Sequence, residues 1–139
     1  MRRYNQAHYS SEVSMSAEFS ALGKPITTFT QLDRIPTRCK QIQYHGDQLT
    51  AGCPITHQPD FYEVTISIEA DGMAIETKTL KLYLETFRDQ YIFCEDLAVK
   101  LCEDLFAACT PKVCAVSLTQ RRRGGIQITA RHELRKDIA

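Results

Sequence analysis

Phe61-Tyr62-Glu63-Val64-Thr65-Ile66-Ser67-Ile68-Glu69-Ala70 decides the fold. Tyr62, Val64, Ile66 and Ile68 point one way, while Glu63, Thr65 and Ser67 point the other. A period of two over this length is a half-buried strand of an antiparallel sheet. Asp71-Gly72 then supplies a turn. Upstream, residues 40–44 read as a short strand followed by a turn at His45-Gly46-Asp47. Downstream, Leu80, Tyr83, Leu84 and Phe87 recur at helical spacing, and so do Leu97, Leu101, Leu105 and Ala108 before Pro111. Residues 113–119 and 126–130 read as two more strands, joined through Arg121-Arg122-Arg123-Gly124-Gly125. The order strand, strand, helix, helix, strand, strand predicts an α+β domain. Its antiparallel sheet carries both helices on one face and keeps open edges. Residues 1–37, rich in Ser, Thr and Gln, have no sustained periodicity and are expected to form an N-terminal arm, with the domain in 38–139.

The 17 basic and 17 acidic residues cancel, so no field recommends a nucleic-acid or membrane-surface partner, and direct transfer-RNA binding is not expected. No run approaches the roughly 18 apolar residues of a membrane span, and the polar start lacks the apolar core of a signal peptide. A cytoplasmic location is the expectation. There the 6 cysteines stay mostly reduced. None forms a Cys-x-x-Cys pair, and Cys102, Cys109 and Cys114 fall on apolar faces as small core residues.

The loop Thr50-Ala51-Gly52-Cys53-Pro54-Ile55-Thr56-His57-Gln58-Pro59-Asp60 holds a cysteine in a rigid, irregular segment, with an acid at the mouth of the next strand. A thiolate that adds to an electrophile needs local activation and a nearby proton donor, and Cys53 with Asp60 could supply both. By spacing alone a plain loop cysteine remains open. So does half of a metal site from Cys53 and His57, although no second half is evident and no metal is implied. At the entry to the first helix, Glu76-Thr77-Lys78-Thr79-Leu80-Lys81 offers Thr77 or Thr79 as a cap. Lys78 and Lys81 there could serve a phosphate. Phe93-Cys94-Glu95-Asp96 opens the second helix, where acids oppose the positive dipole end. The arginine-glycine run 121–125 is either a hairpin connection or a phosphate loop, and no Gly-x-Gly-x-x-Gly fingerprint is present.

Together these segments resemble the short, single-module 7-cyano-7-deazaguanine reductases, nitrile reductases of queuosine biosynthesis. The run from Cys53 to Asp60 is similar to the family's catalytic loop. The run from Glu76 to Lys81 is similar to its Glu-Ser-Lys-Ser-Leu-Lys signature, with Thr twice for Ser. Thr86-Phe87-Arg88 and Arg123-Gly124-Gly125-Ile126 also match, in order and at matching intervals over roughly residues 45–130. One departure stands out: the family pattern Phe-His-Glu-Asp is Phe93-Cys94-Glu95-Asp96 here.

The resemblance implies a tunnelling fold, with subunits joined by their sheets into rings, pentamers or decamers, and active sites between subunits. It implies that Cys53 attacks the nitrile of the deazaguanine base and Asp60 protonates the nitrogen, giving a thioimide that NADPH reduces to the amine. Ile75, Glu76, Thr77, Cys94 and Glu95 would hold the base, and Lys78, Lys81, Arg122, Arg123 and Gly124 the cofactor. Two alternatives stay open: ammonia or water captures the same thioimide without NADPH, or the ring binds a pterin or purine without turnover.

Overall fold

The structure, a computed structural model, describes residues 28–137. Residues 1–27 of the expected arm lie outside the described residues. In chain order the elements are β1 (Arg34–Pro36), β2 (Gln41–Gly52), β3 (Pro59–Glu69), β4 (Met73–Ile75), α1 (Thr77–Glu85), a 3-10 turn (Thr86–Asp89), α2 (Cys94–Cys109), β5 (Val113–Gln120) and β6 (Thr129–Arg135). The main sheet has the order β2-β3-β5-β6 and is antiparallel throughout. The α+β reading with two helices is therefore correct. β1 and β4 form a separate two-stranded ribbon that sequence reading missed, since three-residue strands carry too few positions to show a period.

Central strand β3 buries Tyr62, Val64, Ile66 and Ile68, as its alternation requires. They pack against Leu97, Leu101 and Leu105 of α2 and Leu80, Tyr83 and Phe87 from α1 and its following turn. Each fully buried side chain of this size contributes about 1.5–3 kcal/mol relative to exposure. Cys102, Cys109 and Cys114 lie in this core as free thiols. Among the described residues no helix is long and apolar enough to cross a membrane.

Two expected boundaries need correction. The turn expected at His45-Gly46-Asp47 is instead a β-bulge: β2 continues to Gly52, and its pairing with β3 shifts register between Gly46 and Leu49. The long apolar face of β3 demands a partner along its whole length, and a bulge absorbs the extra residue without ending the strand. The last strand is Thr129–Arg135 rather than 126–130. Its charges suit an outer strand, where Arg131 and Arg135 both pair with Glu133, so a hydrophobicity pattern does not reveal it.

The described end of the arm packs on the domain. Asp33 is buried; its N–H donates to Thr79 Oγ1 at 3.0 Å and its carbonyl accepts from Glu76 N–H at 2.9 Å. This stitch fixes where α1 begins.

Candidate active site

Cys53 sits at the head of a single helical turn. Its carbonyl accepts from His57 N–H at 2.9 Å, Pro54 occupies the first helical position, and His57 closes the turn at φ 60°. In that frame residues 55 and 56 present the free N–H groups of a helix N-terminus to whatever Cys53 carries. The Thr56 hydroxyl is the strongest influence on the sulfur, followed by the N–H groups of Thr56 and Ile55; together they outweigh burial. With a smaller contribution from Arg123, they lower the Cys53 thiol to about 7. The Cys-Pro-x-Thr spacing is thus a capping arrangement with sulfur in the capping place, a signal that was present in the sequence.

The turn is anchored from behind. Gly52 N–H donates to Gln90 O at 2.8 Å, and Gly52 O accepts from Ile92 N–H at 3.1 Å. A Cβ on Gly52 would stand 2.5 Å from Tyr91 Cδ1, so only glycine allows this approach. The His57 ring rests against Tyr91, with centroids 4.4 Å apart.

Asp60, near the start of β3, is buried. Its Oδ1 accepts from Arg123 Nη1 at 2.5 Å and from Gln120 Nε2 at 3.2 Å. Its Oδ2 carries no hydrogen bond among the described residues. The Cys53 thiol first, and then Asp60, hold the Arg123 guanidinium above its ordinary range. Gly124 and Gly125 take positive φ, and Arg123 and Ile126 exchange backbone hydrogen bonds, so the loop doubles back to aim this side chain. Arg122, expected alongside it, is exposed and donates to Gly125 O at 3.4 Å.

Cys94 and Glu95 open α2 beside this group. Cys94 is buried, and burial first, then the Glu95 charge, pushes its thiol up to about 11 against the pull of Ala130 N–H. The Tyr62 phenol, also buried, is pushed up by burial and then by Cys94, Asp60, Glu95 and Cys53. The structure thus brings Cys53, Asp60, Cys94 and Glu95 together. It adds Tyr62, whose regular place in the strand alternation disguised it as a core aromatic.

Ile75, Glu76 and Thr77 stand elsewhere. Glu76, rather than Thr77 or Thr79, is the N-cap of α1: its carboxylate accepts from Lys78 N–H and Thr79 N–H, each at 2.8 Å. Tyr44 Oη joins Ile75 N–H and O, both at 3.0 Å, which ties the group to the early part of β2. Cys53 follows the far end of that strand. At about 3.3 Å per residue, the bulge and the tyrosine's reach still leave roughly 20 Å between the groups. The path along α1 and its 3-10 turn, at about 1.5 and 2.0 Å per residue, gives a similar span. Between β2 and α1 lies a cavity of about 350 Å³, lined by His45, Leu49, Val64, Thr77, Lys81 and Arg88 among others. Cys53 is not part of its wall.

Residues 59–138 match the family model of the QueF-like proteins. The NADPH-dependent 7-cyano-7-deazaguanine reductase of Frankia casuarinae is 41% identical over 98 residues, covering 70% of this chain and 78% of the relative. Its counterpart in Syntrophus aciditrophicus is 35% identical over 124 residues, covering 86% and 89%. The crystal structure of an archaeosine synthase QueF-Like in the apo form shares the fold, with a TM-score of 0.66 at 23% identity over 70% of this chain and 95% of that one. The family model alone spans more than half of the chain, and the chain is a member of the QueF-like family.

Proposed function

We propose that the chain is an NADPH-dependent reductase of the 7-cyano-7-deazaguanine nitrile, acting through Cys53. The observation that carries this reading is the pairing of a thiol lowered to about 7 with a buried carboxylate that keeps one oxygen unbonded. The S–H adds across the C≡N bond. Sulfur bonds to the nitrile carbon, one carbon–nitrogen π bond is lost, and Asp60 takes up at Oδ2 the proton that the thiol gives up and passes it to nitrogen. Relatives at 41% and 35% identity bear the name of this activity. Arg123 serves the addition by holding Asp60 and helping to lower the Cys53 thiol.

The separation of roughly 20 Å between Cys53 and Glu76 exceeds what one deazaguanine can bridge. This supports a tunnelling-fold ring in which one subunit's Cys53, Asp60, Cys94 and Glu95 meet the Ile75, Glu76 and Thr77 of its neighbour. Exposed Ile55, Phe61, Tyr91, Phe93 and Ile126 surround or adjoin the Cys53 group and offer apolar area for that contact. The outer strands β2 and β6 offer backbone pairing. The β2–α1 cavity combines an apolar wall with Lys81 and Arg88, which suits an anionic cofactor carrying a flat ring. Lys78, Lys81 and Arg122 are the proposed phosphate contacts, with Gly124 allowing the loop's approach. These residues would hold NADPH, which would supply hydride, two equivalents from nitrile to primary amine.

The test is incubation of the protein with the nitrile base, with and without NADPH, while following intact mass and cofactor oxidation. A Cys53 adduct without NADPH, discharged with NADPH consumption, is expected. An adduct that forms but never oxidises NADPH transfers the chain to the ammonia- or water-capture reading. No adduct removes the reading altogether.

A further inference from the structure

Tyr62 stands two residues after Asp60 on the inward face of β3, opposite Leu49 on one side and Gln120 on the other. Its side chain is 1% exposed. Its hydroxyl is the buried side-chain polar atom that finds no hydrogen-bond partner among the described residues. A buried hydroxyl left unpaired costs about 1–3 kcal/mol. Phenylalanine would fill the same core space without that cost.

The acceptors around it are otherwise engaged or turned away. Asp60 Oδ1 takes Arg123 and Gln120, and the Cys94 sulfur is drawn to Ala130 N–H. Burial and four acidic neighbours keep the phenol protonated, so it remains an O–H donor. The Cys94 thiol beside it is a poor donor. The group thus has a nucleophile, an acid and a carboxylate for the base, together with one donor shielded from water that lacks an acceptor. A nitrile, and the nitrogen it becomes as sulfur adds, is such an acceptor.

Building on the proposed addition to Cys53, we infer that the Tyr62 hydroxyl donates a hydrogen bond to the reacting nitrogen of the substrate, making Tyr62 a catalytic residue rather than a core aromatic. It transfers no proton; Asp60 does that. It stabilises negative charge growing on nitrogen as sulfur adds.

The experiment compares wild type with Tyr62→Phe, which keeps the ring and deletes only the oxygen. Tyr62→Phe is expected to melt at the same temperature or higher, while forming the Cys53 adduct about 10²-fold more slowly, the loss typical of one such donor. A second readout needs no turnover. In Cys53→Ala the bound nitrile should show the infrared stretch of a hydrogen-bonded nitrile, and in Cys53→Ala/Tyr62→Phe that stretch should move toward its aprotic position. Unchanged adduct rate and unchanged stretch would overturn the role of Tyr62 while leaving the reductase reading intact. Failure of wild type itself to form an adduct would overturn that reading, and this inference with it.

Discussion

Arg123 donates to Asp60 Oδ1 at 2.5 Å, and the same guanidinium helps lower the Cys53 thiol. A residue expected among the phosphate contacts thereby links Cys53 and Asp60. Buried carboxylates are well oriented when an arginine holds one oxygen and leaves the other free. Arg123→Gln should slow adduct formation at least about 10-fold even without NADPH, whereas Arg122→Gln should leave that step unchanged. Equal adduct rates in both variants would return Arg123 to the cofactor alone.

The Cys53 thiol should titrate near 7, far below Cys94 near 11. Alkylation followed site by site in mass spectra should therefore label Cys53 increasingly through pH 7 and spare Cys94 below pH 9. Thr56→Val removes the largest lowering influence, so the Cys53 midpoint should climb toward its ordinary 9.0. Arg123→Gln should raise it less. A midpoint that ignores Thr56 would mean the turn does not activate the sulfur.

Glu76 caps α1 through both carboxylate oxygens. Glu76→Ala should lose about 1 kcal/mol of stability in urea unfolding. Glu76→Asp, itself a favoured cap, should recover most of that stability without recovering affinity for the base. If Glu76→Asp binds the base normally, Glu76 serves the helix only.

Because Cys53 and Glu76 sit about 20 Å apart along β2, the two inactive variants Cys53→Ala and Glu76→Ala should complement one another. Refolding them together should restore NADPH oxidation, through sites that combine an intact Cys53 group with an intact Glu76 group. A mixture as inactive as its components would argue that each subunit works alone.

Gly52→Ala drives a Cβ to 2.5 Å from Tyr91 Cδ1. Overpacking of this kind costs about 1–3 kcal/mol and should displace the Cys53 turn. Tyr91→Ala in the same chain should relieve part of the loss, and that coupling is readable in a double-mutant cycle of stability and adduct rate.

Local order carried much of the chain's meaning. The alternation of β3 and the helical stripes are repeated demands for a buried face, and such demands need no knowledge of distant residues. Cys-Pro-x-Thr is likewise settled within one turn of backbone, whereas the cap of α1, expected at Thr77 or Thr79, falls to Glu76, because the contacts of Asp33 with Thr79 and Glu76 fix where the helix begins. The bulge in β2 and the charged strand β6 were not legible from spacing, because each is imposed by the partner strand beside it rather than by its own residues.

The sequence by itself determined the α+β class, since strand and helix periods act over a few residues, and it pointed to Cys53 and Asp60 through the resemblance of their loop. The tertiary structure alone decided that Arg123 reaches back across the sheet to Asp60, and that Tyr62 ends as a donor without an acceptor. It also set Glu76 far from Cys53. Those relationships join residues from separate strands and helices, and antiparallel pairing together with the packing of α1 and α2 sets the distances between them.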